Sequence, residues 1–312
     1  MQRRLILLIA LGLSACAGPA YVGGLRPTIP DVDWAAHREA RLTSKDAVTL
    51  LYQSWRPKSG EPKAAVLLVH GLKDHSDRYS GFAKALVEAG YAVHAFDLRG
   101  HGDSTGDRVC VDHFDDYLDD VDAALTQVRT AEGNKKIFLF GHSMGGAIAT
   151  LYSLTRTPKP AGLILSGAAL KVDAGGAVQG TTKALGALFP KLAVFSLEDE
   201  KFSRDAEVVA DMKRDPLVYD KSAPAHTAAE VIRAVDRIRE HSAELDVPVL
   251  AMHGTADEVT PPDGSKELVD AAKGDKTLKL YAGLFHDLLH EPERAQVTAD
   301  IIAWLEARAA PR

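Results

Sequence analysis

Short apolar runs alternate along this chain with segments of helical period, and that alternation limits the folds open to it. The runs lie at 48–55 (VTLLYQSW), 64–70 (AAVLLVH), 91–96 (YAVHAF), 136–141 (KIFLFG), 162–167 (GLILSG), 248–254 (PVLAMHG) and 277–283 (TLKLYAG). Between them, FAKALVEAG, FDDYLDDVDAALTQVRTA, GGAIATLYSL and GSKELVDAAK place apolar residues three and four apart, as one face of a helix requires. The runs are nearly continuous in hydrophobicity, which suits strands covered on both faces in a parallel sheet. Strand–helix alternation then predicts an α/β, doubly wound fold with a mostly parallel central sheet and helices on both faces.

One connection is too long for that plan. About 80 residues separate Gly167 from Val247, whereas a crossover needs little more than one helix. The segment 226–241 (HTAAEVIRAVDRIREH) can be that helix, which leaves 171–225 as an inserted helical cap. The cap carries Leu185, Leu188, Phe189, Leu192, Val194 and Phe195. These could face a greasy substrate or pack the cap onto the sheet. Packing is expected to take more than half of them.

The N-terminus reads as a processing signal. A basic MQRR precedes the apolar LILLIALGL, too short to span a bilayer as a helix. Leu13-Ser14-Ala15-Cys16 follows and resembles the bacterial lipobox, which implies cleavage before Cys16 and lipidation of that residue. Residues 1–15 are then a signal peptide. Residues 16–44, rich in Gly and Pro at their start, are a lipidated cysteine and flexible tether. Residues 45–310 are the α/β domain with the cap insertion at about 171–225, and the folded part starts between about Val32 and Lys45. Ala17 lacks the aspartate linked to inner-membrane retention, which favours the outer membrane. The chain has only two cysteines, so acylation of Cys16 would leave Cys110 as a small thiol without an intramolecular partner. With a net charge of −6 and no long basic run, the chain lacks the footprint of a nucleic-acid binder. Its scattered histidines, His94, His101 and His113 among them, show no metal-ligand spacing, and no metal or cofactor is implied.

Gly141-His142-Ser143-Met144-Gly145 fits G-x-S-x-G between an apolar strand and a helix of small residues. A tight turn there would strain the serine and project its hydroxyl above the sheet. A serine hydroxyl needs a base, and in this topology the acid and then the base follow it in the chain. PVLAMHGTADEV places Asp257 just after a strand, with Glu258 or Asp263 as the alternative acid. TLKLYAGLFHDLLHE offers His286 and His290; His286 lies nearer the strand end, and His290 is expected a turn into the next helix. Ser143 is thus the candidate nucleophile, His286 the base and Asp257 its orienting acid. The oxyanion donors would be the backbone N–H groups of Met144 and, after the strand ending at His70-Gly71, Leu72. His70 itself reads as structural.

HGLKDHSDRY (70–79), FDLRGHGDSTGDR (96–108), GHSMGGAIA (141–149), HGTADEV (253–259) and YAGLFHDLLHE (281–291) together resemble the monoacylglycerol lipase family of α/β-hydrolases. That family overlaps lysophospholipases and serine aminopeptidase S33-like hydrolases. The resemblance covers about residues 45 to 308 and implies the same triad and oxyanion donors. It also implies that Asp74, Arg78 and the His290 region shape the polar, glycerol end of the site. The sequence departs from the family pattern at Leu72-Lys73 and Asp74, so head-group preference stays open. The expected activity is hydrolysis of single-chain lipid esters, monoacylglycerols first. Lysophospholipase, short-chain carboxylesterase or peptidase chemistry on the same fold is the alternative. A non-catalytic envelope lipoprotein is a remote one.

Overall fold

The run at 64–70 forms β3 (Ala65–Val69), and all five residues are buried. Ala65, Leu67 and Val69 join one core cluster, whereas Val66 and Leu68 join another. A strand with two dry faces needs helices on both sides. The computed structural model describes residues 32–173 and 175–309 and shows that arrangement.

Eight strands form the central sheet, in the order β1-β2-β4-β3-β5-β6-β9-β10. They are β1 (Ala36–Thr43), β2 (Thr49–Arg56), β3, β4 (Ala92–Phe96), β5 (Ile137–His142), β6 (Gly162–Ser166), β9 (Val249–Gly254) and β10 (Lys276–Tyr281). β2 runs antiparallel to β1 and β4, and the other pairings are parallel. One face packs on α2 (Asp115–Glu132), α3 (Met144–Thr155), α6 (Ala225–His241) and α7 (Pro262–Ala271). The other packs on α1 (Ser80–Glu88) and α8 (Arg294–Ala309). This is the α/β-hydrolase architecture that the resemblance implies. All parallel strands point their C-terminal ends to one edge, where Ser143, Asp257 and His286 follow β5, β9 and β10.

Three expectations need correction. The tether does not extend to residue 44, because Ala36–Thr43 is an edge strand paired with β2 from Ala36↔Arg56 to Thr43↔Thr49. Its sequence, AHREARLT, has no apolar run; main-chain pairing holds it, and its charges blunt an exposed edge. The cap residues are also less buried than expected. The insertion contains α4 (Gly176–Leu188), α5 (Ala206–Arg214) and a two-stranded ribbon of β7 (Ala193–Phe195) and β8 (Ala223–Pro224). α4 lies against α6 so closely that a Cβ at Gly186 would come within 2.9 Å of Ala225 O. Even so, Leu188, Phe189, Leu192 and Val194 remain exposed, at 71, 60, 47 and 39%. Packing therefore takes a minority of the six residues. Finally, Cys110 is disulfide-bonded and not a free thiol. The only other cysteine, Cys16, lies outside the described residues, as do the signal peptide and the start of the tether.

Candidate active site

β5 delivers Ser143 into a backbone conformation, φ 53° and ψ −121°, that L-residues rarely adopt. The flanking glycines permit it. A Cβ at Gly141 would lie 2.4 Å from Gly145 O, and one at Gly145 would lie 2.2 Å from Val69 O. The turn therefore closes tightly on itself and onto the end of β3. Ser143 N–H donates to Ser166 O at 3.1 Å, and Ser143 O accepts from Gly146 and Ala169 N–H, both at 2.9 Å. These bonds anchor the elbow to the loop after β6 and to the start of α3.

Asp257 occupies the turn between β9 and α7. Its Oδ1 accepts from the N–H groups of Val259 (2.8 Å) and Thr260 (2.9 Å). Its Oδ2 accepts from the Thr260 hydroxyl at 3.0 Å and from His286 Nδ1 at 2.8 Å. Burial alone would raise this carboxyl. The adjacent His286 and hydrogen bonds from His253 and His286 outweigh burial and hold it well below the usual carboxylate range. Neither alternative acid competes: Glu258 faces Lys201 at 3.4 Å, and Asp263 binds Lys266 at 2.9 Å.

His286 is fully buried. Its ring packs against His142 (centroids 4.8 Å apart) and edge-on against Phe202 of the cap segment (5.3 Å). With Nδ1 committed to Asp257, Nε2 has no hydrogen-bond partner among the described residues. It is the free end of the couple, and catalytic hydrogen bonds often tighten only when substrate is bound. Burial pushes His142 down to about 4, against the pull of Asp287 and with a further push from His286. His142 is therefore neutral at pH 7, and its Nδ1 binds Ser166 O at 3.0 Å.

Ser143, Asp257, Leu72 and Met144 border one cavity of about 770 Å³. A Cβ at Gly71 would lie 3.1 Å from Ser143 Cβ, so the Leu72 loop rests on the elbow. Val172, Val178 and Val194 of the cap and Ile232 of α6 make much of the remaining wall apolar. The size suits a small-molecule site.

Asp74, Arg78 and His290 are not on that cavity's wall. They form a mostly buried ion network instead. Asp74 binds Arg78 at 3.0 Å and the Tyr79 hydroxyl at 2.8 Å, while Arg78 reaches Asp287 at 3.5 Å. His290 presents Nδ1 to Asp287 and Nε2 to Arg78 O, both at 2.8 Å. Asp287 lifts the His290 pKa against burial. Burial would raise Asp74, but Arg78, His70 and His75 bring it to about 2. With their charges spent on one another, these groups do not reach the cavity as the resemblance implied. Nor is His290 within a following helix: it closes a 3-10 turn, Leu288–His290, before α8.

Sequence reasoning missed His253, Thr260, Gly167 and Phe202. A Cβ at Gly167 would meet His286 O at 2.6 Å, so a glycine lets the base seat itself. His253 carried a usable signal: it stands at a strand's C-terminal end, four residues before Asp257. Phe202 carried none, since only the folded cap brings it to the base.

The family model described as "Serine aminopeptidase, S33" matches residues 60–293. The chain is 34% identical over 261 residues to a monoacylglycerol lipase of Mycolicibacterium smegmatis, covering 83% of this chain and 93% of that one. It is 32% identical over 275 residues to the monoglyceride lipase of Homo sapiens, covering 86% and 90%. The crystal structure of Paleococcus ferrophilus monoacylglycerol lipase superposes with a TM-score of 0.74 at 31% identity, covering 83% and 99%.

Proposed function

The chain belongs to the serine aminopeptidase S33 family of hydrolases, and from that premise we propose that it is a serine ester hydrolase of single-chain lipid esters, monoacylglycerols first. Asp257, paired with His286 and sharing with Ser143 the wall of a largely apolar cavity, carries this reading. The monoacylglycerol lipase names of relatives aligned over more than four-fifths of the chain support the substrate class.

The chemistry follows from the geometry. His286 Nε2 takes the proton of Ser143 as Oγ attacks the ester carbonyl carbon. The N–H groups of Leu72 and Met144 stabilise the resulting oxyanion. Collapse breaks the ester C–O bond, and His286 returns the proton to the departing alcohol. Water then repeats the sequence on the acyl-enzyme, releasing the fatty acid and restoring Ser143. Asp257 keeps Nδ1 protonated and offsets the imidazolium charge. A fluorophosphonate probe tests the assignment: it should label folded wild-type protein at Ser143 and leave Ser143→Ala unlabelled. Labelling elsewhere, or none, would contradict it.

Anchoring belongs to the same proposal. MQRR, the short apolar stretch and Leu13-Ser14-Ala15-Cys16 support a mature protein lipidated at Cys16 and held at the bacterial envelope, on the outer membrane by preference. Several acyl chains on one residue give a stable anchor. One sulfur cannot carry both a thioether lipid and a disulfide, so lipidation of Cys16 and a bridge from Cys16 exclude one another.

A further inference from the structure

Nitrogens of two histidines lie within 3.1 Å of Asp257 Oδ2, and only one belongs to the proposed triad. We infer that His253 is a positioning residue of the active site, holding the Asp257 carboxylate in place for His286. This role rests on the hydrolase reading above.

His253 ends β9 and is fully buried. Its Nε2 lies 2.9 Å from Thr260 O and 3.1 Å from Asp257 Oδ2. Both atoms are acceptors, so Nε2 carries a hydrogen. Its Nδ1 lies 2.8 Å from the Ser265 hydroxyl on α7, which can donate to it. With Ser265 donating, the ring is satisfied at both ends in a single tautomer. The oxygen that His253 reaches is also the one that accepts from His286 Nδ1 at 2.8 Å. The His253 N–H, bonded to Thr260 O, thus also lies 3.1 Å from the carboxylate oxygen that His286 binds, while the turn amides hold the other oxygen.

This arrangement has two consequences. It limits rotation of the carboxylate about its last bond, which keeps the His286 ring aimed. It also shares the negative charge of Oδ2 between two donors, so His286 feels less of it than an Asp–His pair alone would supply. The other groups facing His286 are the His142 ring on β5, Asp287 beside it, Thr260, and the apolar Phe202. Those facing His253 are Ser265, Thr260 and Asp257. Removing His253 should misalign the base and concentrate charge on it, favouring its protonated form.

The test compares His253→Leu, His253→Gln and Ser265→Ala with wild type, using a soluble ester across pH and checking each variant by thermal melting. His253→Leu should lower kcat about tenfold or more, the worth of one charge-assisted hydrogen bond, and leave KM nearly unchanged. The acid limb of its kcat/KM profile should move to higher pH. His253→Gln, whose amide N–H can reach the same oxygen, should recover most of kcat. Ser265→Ala should move the limb the same way by less, and carries the test if His253→Leu does not fold. Wild-type kcat and profile in the leucine variant would overturn the role. So would parallel losses of activity and melting temperature in both His253 variants with an unmoved acid limb, or an unmoved limb in Ser265→Ala and His253→Gln where the leucine variant fails to fold. An inactive wild type would overturn the proposed function and this role together, whereas an active wild type indifferent to His253 overturns this role alone.

Discussion

Ser143 shows how much of the chemistry is decided by the backbone around one residue. A side chain at φ 53° is costly, and the glycines on either side let the strand end, the helix start and the loop after β3 close around it. Gly145→Ala should therefore do more harm than an ordinary helix substitution. Its methyl would meet main-chain oxygens of Val69 and His70, at 2.2 and 2.4 Å, which cannot swing aside. The expected cost is about 1–3 kcal/mol, read as a lower melting temperature, with kcat falling because the displaced loop carries the proposed oxyanion donor Leu72. Unchanged melting and kcat would refute that packing. Asp257→Asn should fold with little change and lose roughly 10⁴ in kcat, because an amide cannot fix the same imidazole tautomer.

At the scale of elements, the cap and the oxyanion loop are fastened together. His75 Nε2 binds Asp215 at the end of α5 at 2.8 Å, and Tyr219 N–H donates to Lys73 O at 3.0 Å. Burial works against charge on His75, but Asp215, Asp97 and Asp74 lift its pKa above the ordinary value. A raised folded-state value means that this contact contributes fully below about 6.5, the ordinary histidine value, and fades as pH climbs through the raised one. Proteolysis within the cap should accelerate on the alkaline side of neutrality in the wild type. In Asp215→Asn it should be fast at both pH values, and a wild-type response in that variant would contradict the clasp. Seven of the eight sheet strands were legible through their apolar runs, a signal that survives without any partner in view. β1 was not, because an edge strand held by main-chain bonds can be written in polar residues such as Arg38, Glu39 and Arg41. The pairing of Asp257 with His286 was legible because both follow the C-terminal ends of sheet strands in the expected order. Asp74, Arg78 and His290 misled because side-chain type does not reveal which charges are already paired.

At the scale of the whole molecule, a catalytic sheet edge and an exposed apolar cap go with the proposed N-terminal signal. The Cys16 sulfur distinguishes two forms of the protein. Mass spectrometry of protein from bacterial membranes should find an acylated N-terminal peptide beginning at Cys16. A Cys16–Cys110 linked peptide would overturn the anchored form while leaving the chemistry intact. The hydrolase reading itself turns on substrate choice. The most direct measurement is kcat/KM across monoacylglycerols, lysophospholipids, short p-nitrophenyl esters and aminoacyl amides, with Ser143→Ala beside the wild type. Monoacylglycerols should lead, and the alanine variant should lose at least about a thousandfold on every substrate. A preference for aminoacyl amides, or an active alanine variant, would contradict the account.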